Sequence, residues 1–227
     1  MAGVFTGKTK IIKNNTVSFA VIYQGIIIIL LLAFSFGPAF FALINTGIKY
    51  GYKPGAILAT GVVLSDLFLC VGIIFLVHFG AINFLEDEKN QRFAGILAGI
   101  ILIVFGAFYF KKPVKKSDES FELKAPSLVG LLLKGFFMNL FNPAVWFLWL
   151  GNVTAVGKSF NYSVVKMIIY FSVVLALVLL VELFKVFLSG KIKRFLTDKI
   201  MHVVNILTGS LLIIFGLVLI YNNYFEH

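Results

Sequence analysis

The chain has 227 residues, with 20 Lys and Arg against 10 Asp and Glu for a formal net charge of +10. Hydrophobic residues make up 60% of it, charged residues only 13%, and the mean hydropathy is +0.99. These values exclude a soluble domain, which at this length needs far more polar surface, and make lipid the solvent for most of the chain.

Residues 1–16 form a polar N-terminal segment in which Lys8, Lys10 and Lys13 precede the first apolar run. The stretch from Phe19 to Phe36 is too long for a signal-peptide core, and no small-residue cleavage site follows it, so it reads as a first membrane helix. Runs of roughly 20 apolar residues cross a bilayer as helices, because only a helix or a closed barrel satisfies its own backbone there. Strict two-residue alternation is absent. The predicted fold class is an all-α membrane protein with six transmembrane helices, at about 18–45, 56–80, 93–110, 128–151, 163–188 and 203–222.

Gly37-Pro38 interrupts the first run, and Asn142-Pro143 interrupts the fourth. Proline removes a backbone donor and displaces the carbonyl one turn back, so each helix should kink or open at that point. The carbonyls so freed need partners, and Asn45, Asn139 and Asn142 are suitable because amides bond both backbone and ligand. The second run carries the single cysteine, Cys70, which has no intramolecular partner. Between the third and fourth runs, the polar segment 111–127 with Pro113, Ser117, Asp118 and Pro126 reads as a linker.

The two breaks sit in matching contexts, Phe36-Gly37-Pro38-Ala39 and Phe141-Asn142-Pro143-Ala144. A second match follows at a similar offset, Gly99 to Gly106 against Gly209 to Gly216. Three spans per copy require the second copy to lie upside down in the membrane. The halves 17–110 and 128–224 are therefore predicted to be inverted repeats, with a binding cavity between the broken helices near the midplane. Connections around 49–53, 111–124 and 185–199 hold 12 basic residues, against 7 on the opposite side. The positive-inside rule places the first set in the cytoplasm and both termini outside.

Asp66 is the one acid deep in a run, about ten residues from either end of the second. An ionisable group there costs about 2.5–3.5 kcal/mol on insertion scales, which marks it as a candidate site able to carry a proton. Its bland alternative is an acid that caps freed backbone donors. Glu182 and Lys185, three residues apart near the end of the fifth run, read as a local salt bridge or a snorkelling pair at the interface. Gly95, Gly99 and Gly106, and likewise Gly209 and Gly216, give smooth helix faces for close packing, including a homodimer contact. The candidate substrate and proton pathway is thus Gly37, Pro38, Asn45, Asp66, Asn139, Asn142 and Pro143. No metal-ligand cluster, nucleotide loop or nucleophile–base pair is visible, so no enzyme activity, cofactor or metal is assigned.

These residues resemble the LysE/RhtB family of bacterial amino-acid exporters. Phe36-Gly37-Pro38-Ala39-Phe40 stands at the family's proline-glycine-proline signature, with Phe36 in place of its leading proline. Gly47, Gly51, Gly55 and Gly61 followed by Asp66 look like its glycine-rich approach to an aspartate. The segment Lys134 to Pro143 is similar to its asparagine-proline motif, with Ala144 where many members have a basic residue. Coverage runs from about Ile26 to Tyr221. The resemblance implies efflux of amino acids or similar small metabolites through the bacterial cytoplasmic membrane, driven by protons. A metal-ion exporter on the same scaffold would need several converging ligands beyond Asp66. A thiol-reductase electron carrier would need a redox thiol in each half, and a structural membrane protein without transport is the remaining alternative.

Overall fold

The computed structural model describes residues 19, 21–33, 38–81, 87–110, 126–192 and 198–225. Among these residues there are helices and turns and no strand. We label the helices α1 (Val21–Ala33), α2 (Pro38–Tyr50), α3 (Tyr52–Leu76), α4 (Glu88–Tyr109), α5 (Leu128–Leu140), α6 (Pro143–Ser159), α7 (Val164–Phe187), α8 (Ser189–Ile192) and α9 (Asp198–Phe225). A π-helical turn, Val77–Ala81, extends α3.

Four segments are long and apolar enough to cross a membrane as single helices: Tyr52–Gly80, Glu88–Tyr109, Val164–Phe187 and His202–Phe225. Helices α5 and α6 bend by 69° at their junction and make a fifth crossing if the pair is one span. Of the predicted run 18–45, the structure describes α1 and α2, the latter continuing to Tyr50, with residues 34–37 between them outside the described residues; neither described helix alone has the length of a span.

Helix α3 is the centre of the bundle, packed by α2, α5, α6 and α7. Its approach to α5 depends on two glycines. A Cβ at Gly61 would overlap the carbonyl oxygen of Leu132, and one at Gly135 would overlap that of Leu58, so the two backbones touch. Where α2 turns into α3, Gly51 adopts φ 88°, a left-handed conformation that glycine takes without penalty. Its N–H donates to the Gly47 carbonyl at 3.1 Å, closing the turn. On the other side of α3, Ile28 and Leu32 of α1 join Trp149 and Val153 of α6 and Phe171 of α7 in the largest apolar cluster.

Helices α4 and α9 pack chiefly on each other. A Cβ at Gly99 would lie 2.6 Å from the Gly216 carbonyl, and one at Gly106 would lie 2.8 Å from that of Gly209. The glycine faces expected to serve a homodimer are therefore covered within the chain itself. Any dimer has to form through other surfaces.

Candidate functional site

Asp66 is the central residue of the 29-residue apolar helix Tyr52–Gly80, and its side chain is buried, 1% exposed. Helix α3 turns it toward the junction of α5 and α6. There Asn139, in the last turn of α5, donates from Nδ2 to Asp66 Oδ1 at 2.8 Å and to the Val62 carbonyl at 3.2 Å. Trp149, two turns into α6, donates from Nε1 to the same Oδ1 at 2.8 Å. Two donors on one carboxylate oxygen offset much of the cost of keeping that group out of water.

The junction is shaped by Asn142 and Pro143. Asn142 has extended backbone, φ −87° and ψ 108°, and its Oδ1 accepts from the Ala144 N–H at 3.1 Å, capping α6. Pro143 takes the first helical position, where its missing N–H leaves no bond unmade. The indole N–H of Trp146 donates to the Leu140 carbonyl at 2.7 Å, satisfying an acceptor at the end of α5. The freed groups are thus met by Asn142 and Trp146, and Asn139 reaches the aspartate instead.

Directly across from Asp66 lies a buried ion pair. Lys185 Nζ donates to Glu182 Oε1 at 2.7 Å and to the carbonyl of Leu32, next to the last residue of α1, at 3.2 Å. The ammonium also stands 5.7 Å from the centre of the Phe40 ring. Glu182 and Lys185 are 5% and 8% exposed. The salt bridge expected between them is present, and it is buried inside the bundle. Lys185 is therefore not part of the basic connection that the sequence reading counted.

Asp66, Asn139, Glu182 and Lys185 line one small cavity of about 20 Å³. Ala39 and Val145, one and two residues beyond the two prolines, line it as well. The cavity lies beside the start of α2 and the α5–α6 break, with α3 and α7 contributing its charged side chains.

Of the predicted site residues, the structure brings Asp66 and Asn139 into direct contact, with Asn142 and Pro143 at the adjoining break. Pro38 opens α2 next to Ala39, and Gly37 lies outside the described residues. Asn45 does not join them. It is exposed and lines a separate cavity of about 350 Å³ with Thr46, Lys49 and Lys134. Trp149, Glu182 and Lys185 were not predicted as members of the site. Among the described residues no group of three or more His, Cys, Asp or Glu could hold a metal ion.

Comparison with known proteins accords with this architecture. A protein of Bacillus subtilis (strain 168), "Putative amino acid efflux protein YcgF", is 24% identical over 183 residues, which cover 79% of this chain and 85% of the relative. No solved structure matches the chain. The LysE type translocator family matches residues 30–223, a stretch that includes Pro38, the α5–α6 break, Asp66 and the Glu182–Lys185 pair. The chain is a multi-pass membrane transporter that belongs to the LysE type translocators.

Proposed function

We propose that this transporter exports amino acids or similar small metabolites across the bacterial cytoplasmic membrane, by proton-coupled alternating access around the cavity at Asp66. The observation that carries the reading is the carboxyl group at the middle of the most enclosed spanning helix, facing a cavity beside the α5–α6 break and the start of α2. Such a group is costly in a membrane and rare without a transport or proton-relay role. The name of the Bacillus subtilis relative supports the substrate class.

Six spans in two inverted halves, 17–110 and 128–224, suit the packing. Helix α4, last of the first half, faces α9, last of the second, while α3 packs on α7. Inverted repeats pair equivalent helices in this way across an axis in the membrane plane. The glycine contacts between α4 and α9 and between α3 and α5 give surfaces on which helices can slide or rock.

The direct test is reconstitution of the purified chain in lipid vesicles with a panel of labelled amino acids and an imposed pH gradient. Accumulation of one or more of them should follow the gradient and collapse when a protonophore dissipates it. Movement that ignores the gradient would remove the proton from the mechanism, and movement of none would remove amino-acid export.

The topology has its own test. With both termini outside, a cysteine at Ser117→Cys should be labelled by an impermeant thiol reagent from the cytoplasmic side. One at Asn90→Cys, beside the Asp87 cap of α4, should be labelled only from the opposite side. Each is best placed in a Cys70→Ser background, although Cys70 is itself buried. Labelling of both from one side is incompatible with three spans per half.

A further inference from the structure

The Glu182–Lys185 pair has features that a structural salt bridge does not need. Both residues lie in the last turns of α7, within reach of water for side chains of their length, yet they turn inward. A buried ion pair is a weak source of stability compared with apolar packing at the same place. Glu182 Oε2 is buried and has no hydrogen-bond partner, an unmet acceptor of a kind that folded proteins seldom leave. Lys185 has three N–H donors and hydrogen-bonds to two acceptors, Glu182 Oε1 and the Leu32 carbonyl. Both charges line the cavity that Asp66 lines.

We propose that Glu182 and Lys185 are the substrate-recognition pair, each releasing the other to bind the opposite end of a zwitterionic amino acid. Lys185 takes the substrate carboxylate, and the carboxylate of Glu182 takes its ammonium. The proposal rests on the transport reading above and assigns that site its ligand chemistry. A substrate with a carboxylate alone would leave Glu182 without a cation, and an amine alone would leave Lys185 without an anion. Buried charges stripped of a partner are strongly disfavoured, and only a zwitterion replaces both halves of the pair at once. The neighbouring walls, Phe40, Leu43 and Val145, are apolar and suit an uncharged side chain.

The cavity, about 20 Å³, has room for roughly one water, so it must widen to admit an amino acid. One bond across it ties α7 to the end of α1, from Lys185 to the Leu32 carbonyl. A substrate carboxylate competes for that donor. Occupation of the site and loss of this tie between α7 and the Leu32 end of α1 then become a single event.

The test uses the full-length chain in vesicles and counterflow of an equimolar mixture of the twenty tritiated L-amino acids. Unlabelled N-acetylated amino acids and decarboxylated amines serve as competitors. Wild-type exchange should be competed by amino acids and by neither derivative. Lys185→Gln and Glu182→Gln should each lower it by at least about 30-fold, or ~2 kcal/mol at 1.4 kcal/mol per decade. The reversed pair Glu182→Lys/Lys185→Glu keeps a buried ion pair but inverts its polarity. It loses the bond to the Leu32 carbonyl and should melt below the wild-type temperature, yet still fold as a monodisperse protein and fail to exchange. Wild-type exchange by the reversed pair, or competition by N-acetylated amino acids as strong as by amino acids, overturns the proposal and leaves the transport reading intact. Absence of exchange by wild type overturns both. Where a variant fails to insert, the competition pattern of the wild type decides alone.

Discussion

Asp66→Asn should leave the fold intact and reduce gradient-driven efflux to the background of protein-free vesicles. The side chain accepts two hydrogen bonds through Oδ1, from Asn139 and Trp149. An asparagine placed with its oxygen there accepts the same two. What changes is the strength of each bond, since a neutral acceptor replaces a charged one, and the loss of stability should be on the order of 1 kcal/mol. The amide cannot take up a proton, so net proton movement stops. Counterflow exchange, which needs no net proton transfer, should survive in part. Efflux and thermal stability measured on the same preparation separate the cases. Full gradient-driven efflux by the variant removes Asp66 as the proton carrier, and a large loss of stability marks it as a structural cap.

Gly135→Val should disrupt the bundle itself. The added Cβ would fall on the Leu58 carbonyl, and a backbone atom inside a helix cannot swing aside as a flexible side chain can. Overpacking in a well-filled core costs about 1–3 kcal/mol and more when backbone has to move, and this contact is backbone on both sides. We expect at least about 3 kcal/mol, seen as a loss of the monodisperse peak in size-exclusion chromatography of the solubilised protein. Gly72→Val supplies the comparison, because a Cβ at Gly72 meets nothing within 4 Å. It should behave as wild type. A monodisperse, active Gly135→Val protein would mean that α3 and α5 do not pack as described.

Much of this site was legible in the sequence, and the reasons are specific. Hydropathy marks spans because lipid imposes one rule on every backbone group, and proline marks the α5–α6 junction because it lacks a donor. Asp66 stands out because a carboxylate has no cheap place at mid-helix. The salt bridge between Glu182 and Lys185 was visible, but its burial was not. Helix α7 is apolar nearly all round, so periodicity does not say which face the bundle covers, and a position near its end looks interfacial. Trp149 gave no signal, since tryptophan in an apolar run reads as packing, and its role depends on where a distant carboxylate lies. Asn45 failed for the same reason in reverse. Its polarity is local, while α2 turns it away from the aspartate. The glycine faces of α4 and α9 were plain in the sequence, but a smooth face does not name its partner.

The seam between α4 and α9 also bears on how the protein is made. Helix α4 ends at Tyr109 and α9 begins at Asp198, so about 90 residues of translation separate them, ~5–20 s at the usual pace of a ribosome. Through that interval α4 resides in the bilayer with Gly99 and Gly106 turned to lipid or to whatever helix is near. Its packing is completed only when the final segment emerges. A chain cut short before α9 has every residue that lines the cavity at Asp66 but not this closure, and two such chains would present each other with the same uncovered glycine strip.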